Sequence, residues 1–595
     1  MLISASGKRK KNPDEDSAKK QKIDKTSTVE DDVADIDKNE ADCLAELRSR
    51  EIYKEDALYR KFFRGSLTAF ETDQVKTVSN KAVINGDEDH QKKNFNSQSL
   101  LPRLKKMFTG NFGDLTGLQN RIMKVLVDYS DFRSSLITSN NLQEIQRVVS
   151  LHILNHVLKS RTIVLQNNRE LKRASEQQIE YQPDDYRDQC ITRPSCLILT
   201  PFRNSAYNII KVFFRLFEDS KKHKITKKKR FEIDYGPDGH EPISEYRAQD
   251  YLDMMYGNTD EDFKFGLSVS PVQIRLYSHF YRSDIIVASP LGLFQIVGDI
   301  KDKHGDKDFL SSIQVLYLDQ ADVLMMQNWS HVISIFEIIN KKPTEAHEAN
   351  FARVHEWCLD EQMKYFRQNI ITSRFKAPEF NSISSKFCHN ISGIVEEKIS
   401  NVGKGQLNRV VSQIVHVFRR FAASSCSEQD NERFGFFCNH ILKEFRELHK
   451  CKIVIYIPDY YDFVKVRNHL RRNKYDFVPI SEYDTYKKAR DRMKKFRKGE
   501  VKFLLMTERF HFYNRLFFKG IERLFFYQLP RYDHFYSELC NMIGIGANSD
   551  SVELSCSTIF CQYDALRLLP IVNEENCKKL INSSNLTHMF ITGGN

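Results

Sequence analysis

Short runs of consecutive apolar residues recur along the chain, and each gives way abruptly to polar residues or proline. Ser195–Thr200 ends at Pro201, and Val315–Leu318 leads directly into Asp319. Runs that are apolar throughout, without alternation, are typical of strands buried on both faces of a parallel sheet. Segments with helical spacing lie between these runs. The sequence therefore predicts an α/β fold with helices on both faces of parallel sheets.

The predicted elements form two groups, separated by a break near residues 385–410. We predict a first domain over residues 101–390 and a second over 405–595, each a parallel sheet, with ligand sites at the carboxyl ends of the strands. The predicted strands are 195–200, 272–277, 284–288, 315–318, 369–372, 451–457, 501–506, 524–527 and 552–560. The predicted helices are 142–159, 206–217, 460–471, 486–497 and 534–542.

Residues 1–100 form a charged N-terminal region that we expect to be mostly disordered, with short helices at most over 46–100. Two basic clusters near the start suit a bipartite nuclear import signal, although a merely charged tail has the same composition. The residues of the two clusters are Lys8, Arg9, Lys10, Lys11, Lys19, Lys20 and Lys22. The first of these clusters begins as early as Lys8, so no apolar leader is expected.

Charge and cysteine content narrow the class of protein. The formal net charge is +11, which favours an anionic partner such as nucleic acid, although solvated lysine faces give the same balance. The 12 cysteines form no C-x-x-C pair and none has zinc-ligand spacing to histidine, so we expect reduced thiols and no metal site. No apolar run is long enough to predict a membrane segment, so no membrane partner is expected.

Several short segments resemble the motifs of DEAD-box RNA helicases, in the right order. Asp319-Gln320-Ala321-Asp322 follows a buried strand, as the Asp-Glu-Ala-Asp signature does. Thr200–Arg203 and Ser289–Gly292 resemble the segments that contact RNA in the first helicase domain, and Thr372-Ser373 stands where Ser-Ala-Thr belongs. Thr507–Arg509 follows the strand that carries motif V. The resemblance implies two tandem RecA-like domains.

The sequence resembles one subgroup of helicase-like proteins in more detail. Residues 309–313, 319–322, 327–329, 507–515 and 526–530, with 187–189 and 192–194, together resemble the digestive organ expansion factor family, the U-three small nucleolar RNA-associated helicase-like proteins. The resemblance implies a component of the small-subunit processome, located in the nucleus and nucleolus and needed for pre-ribosomal RNA processing. Its implied partners are pre-ribosomal RNA, the U-three small nucleolar RNA particle and other processome proteins.

Three of the motifs with which helicases bind and hydrolyse ATP are missing from the sequence. The phosphate cradle G-x-x-x-x-G-K-[ST] is expected shortly before Thr200, but Thr162–Arg187 contains no glycine. Gln320 replaces the glutamate that activates water. Asp533–Met542, the region of the arginine finger, contains no arginine. We therefore predict a pseudo-helicase without ATP or another cofactor. Asp319 and Asp322 are then structural carboxylates or retain magnesium.

Residues that could still contact RNA are those that match the backbone-binding helicase segments. These candidates are Arg203, Asn204, Ser289, Pro290, Gly292, Thr507, Glu508 and Arg509. Two basic stretches, 221–230 and 487–498, are RNA contacts or solvated surface. The aromatic residues near 510–518 are core, an interface for protein, or stacking platforms for bases.

Three functions remain open at the level of sequence. The first is a catalytically silent scaffold that binds RNA, processome proteins or both. The second is a protein–protein adaptor without RNA contact. The third is an atypical ATP-dependent RNA helicase, which the missing glycine-rich loop argues against.

Overall fold

The computed structural model describes residues 58, 61–62, 81–85, 99–178, 186–218, 223–237, 247–302, 304–398, 403–448, 451–546 and 554–593. Its contacts divide the chain into two compact units at residue 400. We call the described residues up to 398 the first unit and those from 403 onward the second unit. The predicted import clusters over residues 8–22 lie outside the described residues, as do residues 221–222 of the first basic stretch.

A ten-stranded sheet forms the centre of the first unit, within the part of the chain that is described. Its strands are β1 (Lys81–Asn85), β2 (Asp131–Ser134), β3 (Cys196–Leu199), β4 (Lys224–Thr226), β5 (Lys264–Val269), β6 (Gln273–Ser278), β7 (Ile285–Ala288), β8 (Val315–Leu318), β9 (Gln368–Thr372) and β10 (Ile394–Lys398). Their order across the sheet is β1-β10-β2-β9-β8-β3-β7-β5-β6-β4. Neighbours are parallel except β5, which runs antiparallel to β6 and β7.

The helices of the first unit alternate with these strands along the chain. They are α1 (Pro102–Phe112), α2 (Gly117–Val127), α3 (Leu142–Gln177), α4 (Arg203–Phe217), α5 (Lys228–Tyr235), α6 (Gln249–Met255), α7 (Pro290–Val297), α8 (Ala321–Met326), α9 (Trp329–Ile338), α10 (Glu356–Leu359), α11 (Met363–Phe366) and α12 (Pro378–Phe387).

The second unit is built on a seven-stranded sheet, again counting described residues only. Its strands are β11 (Val415–Arg420), β12 (Ile453–Ile457), β13 (Phe477–Ile480), β14 (Phe503–Thr507), β15 (Arg523–Phe526), β16 (Ser555–Phe560) and β17 (Thr587–Ile591). The order is β13-β14-β12-β15-β16-β11-β17, and only β17, at one edge, is antiparallel to its neighbour.

The helices of the second unit also connect its parallel strands. They are α13 (Gln429–Phe436), α14 (Leu442–Glu447), α15 (Tyr460–Arg472), α16 (Tyr486–Arg497), α17 (Glu508–Asn514), α18 (His534–Cys540), α19 (Ala565–Val572) and α20 (Glu574–Asn582). A π-helical turn, Phe437–Ile441, joins α13 to α14.

The central strands of each sheet are covered on both faces, which explains why they are apolar throughout. Along β8, Val315 and Tyr317 pack into one apolar cluster, and Leu316 and Leu318 pack into another on the opposite face. Side chains of consecutive strand residues point to opposite faces, so a strand buried on both sides must be apolar at every position. The predicted α/β class with two parallel-sheet units is confirmed.

Some predicted boundaries are wrong. Residues 81–85 form β1, which pairs in parallel with β10, so the first sheet extends beyond residues 101–390 at both ends and the region 46–100 holds more than short helices. The first basic stretch, 221–230, for which no element is predicted, contains, where described, the strand β4 and the start of α5. Among the described residues, no helix combines the length and apolar character needed to cross a bilayer.

Candidate functional site

The carboxyl ends of five adjacent parallel strands form the edge where an α/β protein of this kind binds ligands. In sheet order these strands are β2, β9, β8, β3 and β7. The residues that follow β9, β8 and β7 directly are Ser373, Asp319 and Ser289. Since parallel strands end at the same edge, the segments predicted to carry helicase-like motifs are brought together there.

The strand–loop–helix connection at this edge is β2, residues 135–141, and α3. Gln146, near the start of α3, donates a hydrogen bond from Nε2 to Asp319 Oδ2 at 2.8 Å, so the helix begins beside the end of β8. In P-loop proteins the phosphate cradle occupies such a connection. Residues 135–141 contain neither glycine nor lysine. The sequence-based expectation that the segment equivalent to the cradle would lie within Thr162–Arg187 is wrong, because residues 162–177 belong to the second half of α3.

Asp319 is surrounded by protein donors. Besides Gln146, the Tyr317 hydroxyl donates to Oδ1 at 2.7 Å and Gln320 Nε2 donates to Oδ2 at 3.0 Å. The side chain has no exposed surface, and burial raises the pKa of its carboxyl. Both carboxylate oxygens are therefore engaged inside the protein.

Gln320 links three elements at the same edge. Its backbone has a φ of 52°, in the left-handed region that non-glycine residues seldom adopt. From there its amide nitrogen Nε2 also donates to Ser205 Oγ of α4 at 3.1 Å. A glutamate at this position could not donate and would add a second buried carboxylate beside Asp319. The amide therefore suits the environment that surrounds it.

The remaining residues of the tetrad are also buried. Ala321 and Asp322 have no exposed surface. Asp322 Oδ1 accepts a hydrogen bond from the backbone nitrogen of Arg374 at 3.0 Å, and its Oδ2 lies 4.0 Å from Nε of the same arginine. These contacts tie α8 to the segment that follows β9.

The predicted RNA contacts on α4 are occupied by the chain itself. The backbone nitrogens of Arg203 and Asn204 donate to the carbonyl oxygens of Asp260 and Asn258, at 3.1 and 2.8 Å. The Arg203 guanidinium pairs with the Asp260 carboxylate at 2.9 Å. The Asn204 side chain, which is buried, donates to the carbonyl oxygens of Met254 and Tyr256.

Residues 258–263, which contribute some of these contacts to α4, also cover the start of α7. The Ser289 backbone nitrogen donates to the Phe263 carbonyl at 3.1 Å, and the Ser289 hydroxyl donates to the carbonyl of Glu261. A Cβ on Gly292 would lie 2.3 Å from that same Phe263 oxygen, so only glycine fits. Ser289, Pro290 and Gly292 are all buried. We call residues 258–263, which contain Asp260, Glu261 and Asp262, the acidic segment.

In the second unit, the predicted RNA contacts likewise have internal roles. Thr507 caps α17 and its hydroxyl donates to Glu482 Oε2 at 2.8 Å, while Arg509 lies 3.6 Å from Glu482 Oε1. Glu508 is fully buried, and burial raises the pKa of its carboxyl. One of its oxygens accepts from the backbone nitrogens of Arg531 and Tyr532, at 2.8 and 3.3 Å.

The two basic stretches differ in how their charges are balanced. In the first, Lys228 pairs with Glu218 at 2.6 Å and Arg230 with Asp234 at 3.3 Å. The second stretch is α16 and the residue after it. Among the described residues of this stretch, Lys488 and Arg492 both pair with Asp484, at 2.9 and 2.8 Å, and Lys498 lies 3.6 Å from Glu500.

Most of the aromatic residues near 510–518 are core. Phe510, Phe512 and Phe518 are at most 2% exposed, whereas Phe517 is 52% exposed. Of the three alternatives left open for this run, core therefore holds for these three rings, and Phe517 remains available for a partner.

Three potential metal ligands meet in the core of the second unit. His416, Cys540 and Cys556 place their ligand-type atoms within 4.8 Å of one another. However, both ring nitrogens of His416 are engaged, Nδ1 with the Tyr536 hydroxyl at 2.8 Å and Nε2 with the Thr592 hydroxyl at 3.0 Å. Structural zinc requires four ligands, so this cluster is better explained as hydrogen-bonded core. Sequence spacing could not indicate it, because its members are far apart along the chain.

The fold and the strand-end motifs define an α/β protein of the NTP-hydrolase-like, helicase-like class. Residues 129–395 match the family described as "UTP25, NTP hydrolase-like domain", and residues 406–590 match "Utp25, C-terminal domain".

Curated relatives agree with these matches. The chain is 40% identical over 484 residues to the human U3 small nucleolar RNA-associated protein 25 homolog, a match that spans 80% of this chain and 63% of the human protein. It is 34% identical over 500 residues to U3 small nucleolar RNA-associated protein 25 of Schizosaccharomyces pombe, spanning 83% of this chain and 74% of that protein. The chain belongs to the family of U3 small nucleolar RNA-associated protein 25.

The resemblance to the digestive organ expansion factor family is thereby confirmed. The match spans less than two thirds of the human relative's length. Among solved structures, the yeast DEAD-box splicing factor Prp28 is similar at 14% identity and a TM-score of 0.29, with 84% of this chain and 92% of that chain covered. The fold assignment rests on the strand order and register given above.

Proposed function

We propose that this chain is a non-catalytic, helicase-like component of the small-subunit processome that supports pre-ribosomal RNA processing as a scaffold. The names of its relatives associate them with U3 small nucleolar RNA. On that basis the proposed partners are pre-ribosomal RNA, the U3 small nucleolar RNA particle and other processome proteins, and the proposed location is the nucleolus.

The observation that carries the non-catalytic part is the state of Asp319. Both of its oxygens accept hydrogen bonds from Tyr317, Gln146 and Gln320, and its side chain has no exposed surface. In a P-loop ATPase the equivalent carboxylate holds magnesium beside the nucleotide phosphates. Binding magnesium here would require breaking buried hydrogen bonds, each of which costs more to leave unmade than it contributes when formed.

Three features of the sequence support the same proposal. Residues 135–141 supply no glycine or lysine to hold phosphates. Gln320 has no basic site, and loss of general-base assistance lowers a rate by about 10²–10⁴-fold. Asp533–Met542 contains no arginine, and an arginine finger contributes roughly 10³–10⁵ in rate. Together these losses argue against an atypical ATP-dependent helicase.

An adaptor without RNA contact is the second candidate, and one observation favours it. The predicted RNA contacts of both units are buried or paired within the protein, as Asn204, Ser289 and Glu508 illustrate. If RNA is bound, contacts from these motif positions alone do not suffice, and another surface must contribute.

Two measurements test the proposed function. The first is ATP binding and turnover by the purified full chain, with and without single-stranded RNA. We expect neither, and turnover that is lost in an Asp319→Asn variant would restore the helicase interpretation. The second is ultraviolet crosslinking in cells followed by sequencing of the attached RNA. Crosslinks in precursor ribosomal RNA or U3 RNA are expected, whereas co-purification with nucleolar particles without crosslinks would favour the adaptor.

A further inference from the structure

A cavity of about 400 Å³ opens in the second unit between the C-terminal half of α16 and residues 517–519. Its lining includes the buried rings of Phe496 and Phe518, which are 1% and 2% exposed, and the ring of Phe517, which is 52% exposed. Ligand-binding cavities are commonly of this size.

The sequence of α16 explains which side chains reach the cavity. Thr485 caps the helix by accepting a hydrogen bond from the Lys488 backbone nitrogen. Ala489 and Phe496, seven positions apart, are buried against the sheet. Arg490, Lys494 and Arg497 share the neighbouring exposed face, because residues three, four and seven apart lie on the same side of a helix.

The charges in the cavity are not balanced. Arg490, Lys494, Arg497 and Lys519 line it, against a single carboxylate, Asp491. Within the described ranges, none of these four cations forms an ion pair, in contrast to Lys488 and Arg492 on the adjoining side of the helix, which share Asp484. Like charges three and four residues apart destabilise a helix by a few tenths of a kcal/mol per pair. An anionic ligand would offset that repulsion.

We propose that this cavity binds single-stranded RNA, with backbone phosphates on the four cations and one base against the ring of Phe517. Cationic grooves with exposed aromatic rings are the usual means of holding single strands without reading their sequence. From Arg490 to Arg497 the helix axis rises about 10 Å, which is about three times the roughly 3.4 Å of axis per phosphate along one strand of a duplex. An acidic peptide would use the cations but leave the exposed ring without a planar partner.

This inference rests on the proposed function, since it supplies the RNA surface that the buried motif residues leave unfilled. It assigns the contact to the α16 cavity and not to the helicase-like segments. Binding should need no nucleotide, and it should fall with salt at a slope of about −0.7 per phosphate contact.

The test measures binding of the purified full chain to a fluorescent 12-nucleotide oligouridylate by anisotropy at several salt concentrations. We expect the double variant Arg490→Gln/Lys494→Gln to bind roughly ten-fold more weakly near 0.1 M salt and to reduce the salt slope by about 1.4. Phe517→Leu, which keeps an apolar side chain but removes the ring, should weaken binding about five-fold or more.

The matched control is Arg471→Gln/Arg472→Gln, which removes two exposed charges from α15, a helix that packs on the opposite face of the sheet from α16. Its affinity should change by less than about three-fold, because charges beyond a Debye length of roughly 10 Å are screened. Equal losses in the two double variants would overturn the proposal in favour of diffuse charge. Competition by polyglutamate as effective as that by RNA would overturn it in favour of an acidic peptide site.

The outcomes separate this inference from the proposed function. If the unaltered chain binds no RNA, the cavity proposal fails while the adaptor function stands. If the chain hydrolyses ATP, the non-catalytic function fails, whatever the cavity variants do. Phe517→Leu serves as the decisive variant should the double charge variant unfold, because Phe517 is half-exposed and its replacement leaves all charges in place.

Discussion

Two regions of the molecule differ in how their charges are balanced. One is the pair of helix starts, of α4 and α7, in the first unit, and the other is the α16 cavity in the second unit. In the first unit, the acidic segment 258–263 supplies carbonyl oxygens to the helix N-termini and a carboxylate to Arg203. In the α16 cavity, four cations face a single carboxylate. Helix N-termini and paired arginines are where a helicase would bind phosphates. A motif can therefore keep its position in the fold while its binding groups are used internally.

The largest expected effect concerns the interior of the first unit, where buried histidines make it sensitive to acid. Burial lowers the pKa of His152 to about 4 and those of His156 and His355 to about 3. The unfolded chain, with a histidine pKa near 6.5, binds more protons between these values. Stability is therefore present above pH 6.5 and is lost as the pH falls toward 4. At pH 5 each of these histidines is expected to have lowered the free energy of unfolding by about 2 kcal/mol relative to neutral pH.

Thermal unfolding at pH 7.5 and pH 5.0 checks this prediction. His152→Gln retains a donor for Gln368 Oε1, which accepts from His152 Nε2 at 2.8 Å, but cannot titrate. The loss of stability on acidification should be about a third smaller in this variant. Equal unfolding temperatures at the two pH values in the unaltered chain would contradict the assignment of neutral buried histidines.

The next largest effect is expected at Gln320, within the tetrad Asp319-Gln320-Ala321-Asp322. Gln320→Glu recreates the helicase signature but places a second carboxylate about 3 Å from Asp319 Oδ2, in a buried site, and removes the donor to Ser205. We expect the free energy of unfolding to fall by about 3 kcal/mol and ATP turnover to remain absent. Chemical denaturation and a phosphate-release assay measure the two quantities.

Gln327→Glu is the matched control for that substitution. Gln327 follows the same short helix, and its Nε2 donates to the Pro201 carbonyl at 2.9 Å from a partly exposed site. The free energy of unfolding of Gln327→Glu should fall by only about 1 kcal/mol. ATP hydrolysis by Gln320→Glu would show that the edge of the sheet still admits a nucleotide, and the contrast between the two regions would disappear.

A smaller effect tests whether the acidic segment can be displaced. Asp260→Ala removes the partly exposed pair with Arg203 and should cost less than about 1 kcal/mol. RNA affinity should stay within about two-fold of the unaltered chain, because the carbonyl oxygens of the segment still occupy the backbone nitrogens. Asp262→Ala, which leaves that pair intact, is the control. A large gain in affinity in Asp260→Ala alone would identify the segment as a removable cover.

The sequence was a good guide to the fold because buried parallel strands leave a distinctive pattern. The predicted strand 315–318 and the helix 486–497 match β8 and α16 residue for residue. The sequence does not predict β11, because its pattern is mixed: His416 and Phe418 are buried, whereas Val415 and Val417 are half-buried and two arginines follow. The strand β1 was missed because it pairs with β10, a contact across about 300 residues that no local pattern encodes.

The site was harder to predict, because the motifs indicate position but not accessibility. Ser289 and Gly292 match a helicase segment, yet their contacts come from Phe263 and Glu261, which carry no motif. The α16 cavity had two sequence signals, the basic stretch and the aromatic run. Their proximity depends on how residues 517–519 pack against the helix, which only the structure reveals.

A similarly small effect is expected at Arg509, the motif-V arginine. Its guanidinium lies 3.6 Å from Glu482, whose side chain is only 2% exposed and also accepts from the Thr507 hydroxyl. Arg509→Gln should therefore lower stability by about 1 kcal/mol while changing RNA affinity by less than about two-fold. Lys494→Gln, which removes one charge from the α16 cavity, should do the reverse. If Arg509→Gln weakens RNA binding more than Lys494→Gln, RNA contact belongs to the helicase-like segments and the assignment to the α16 cavity is wrong.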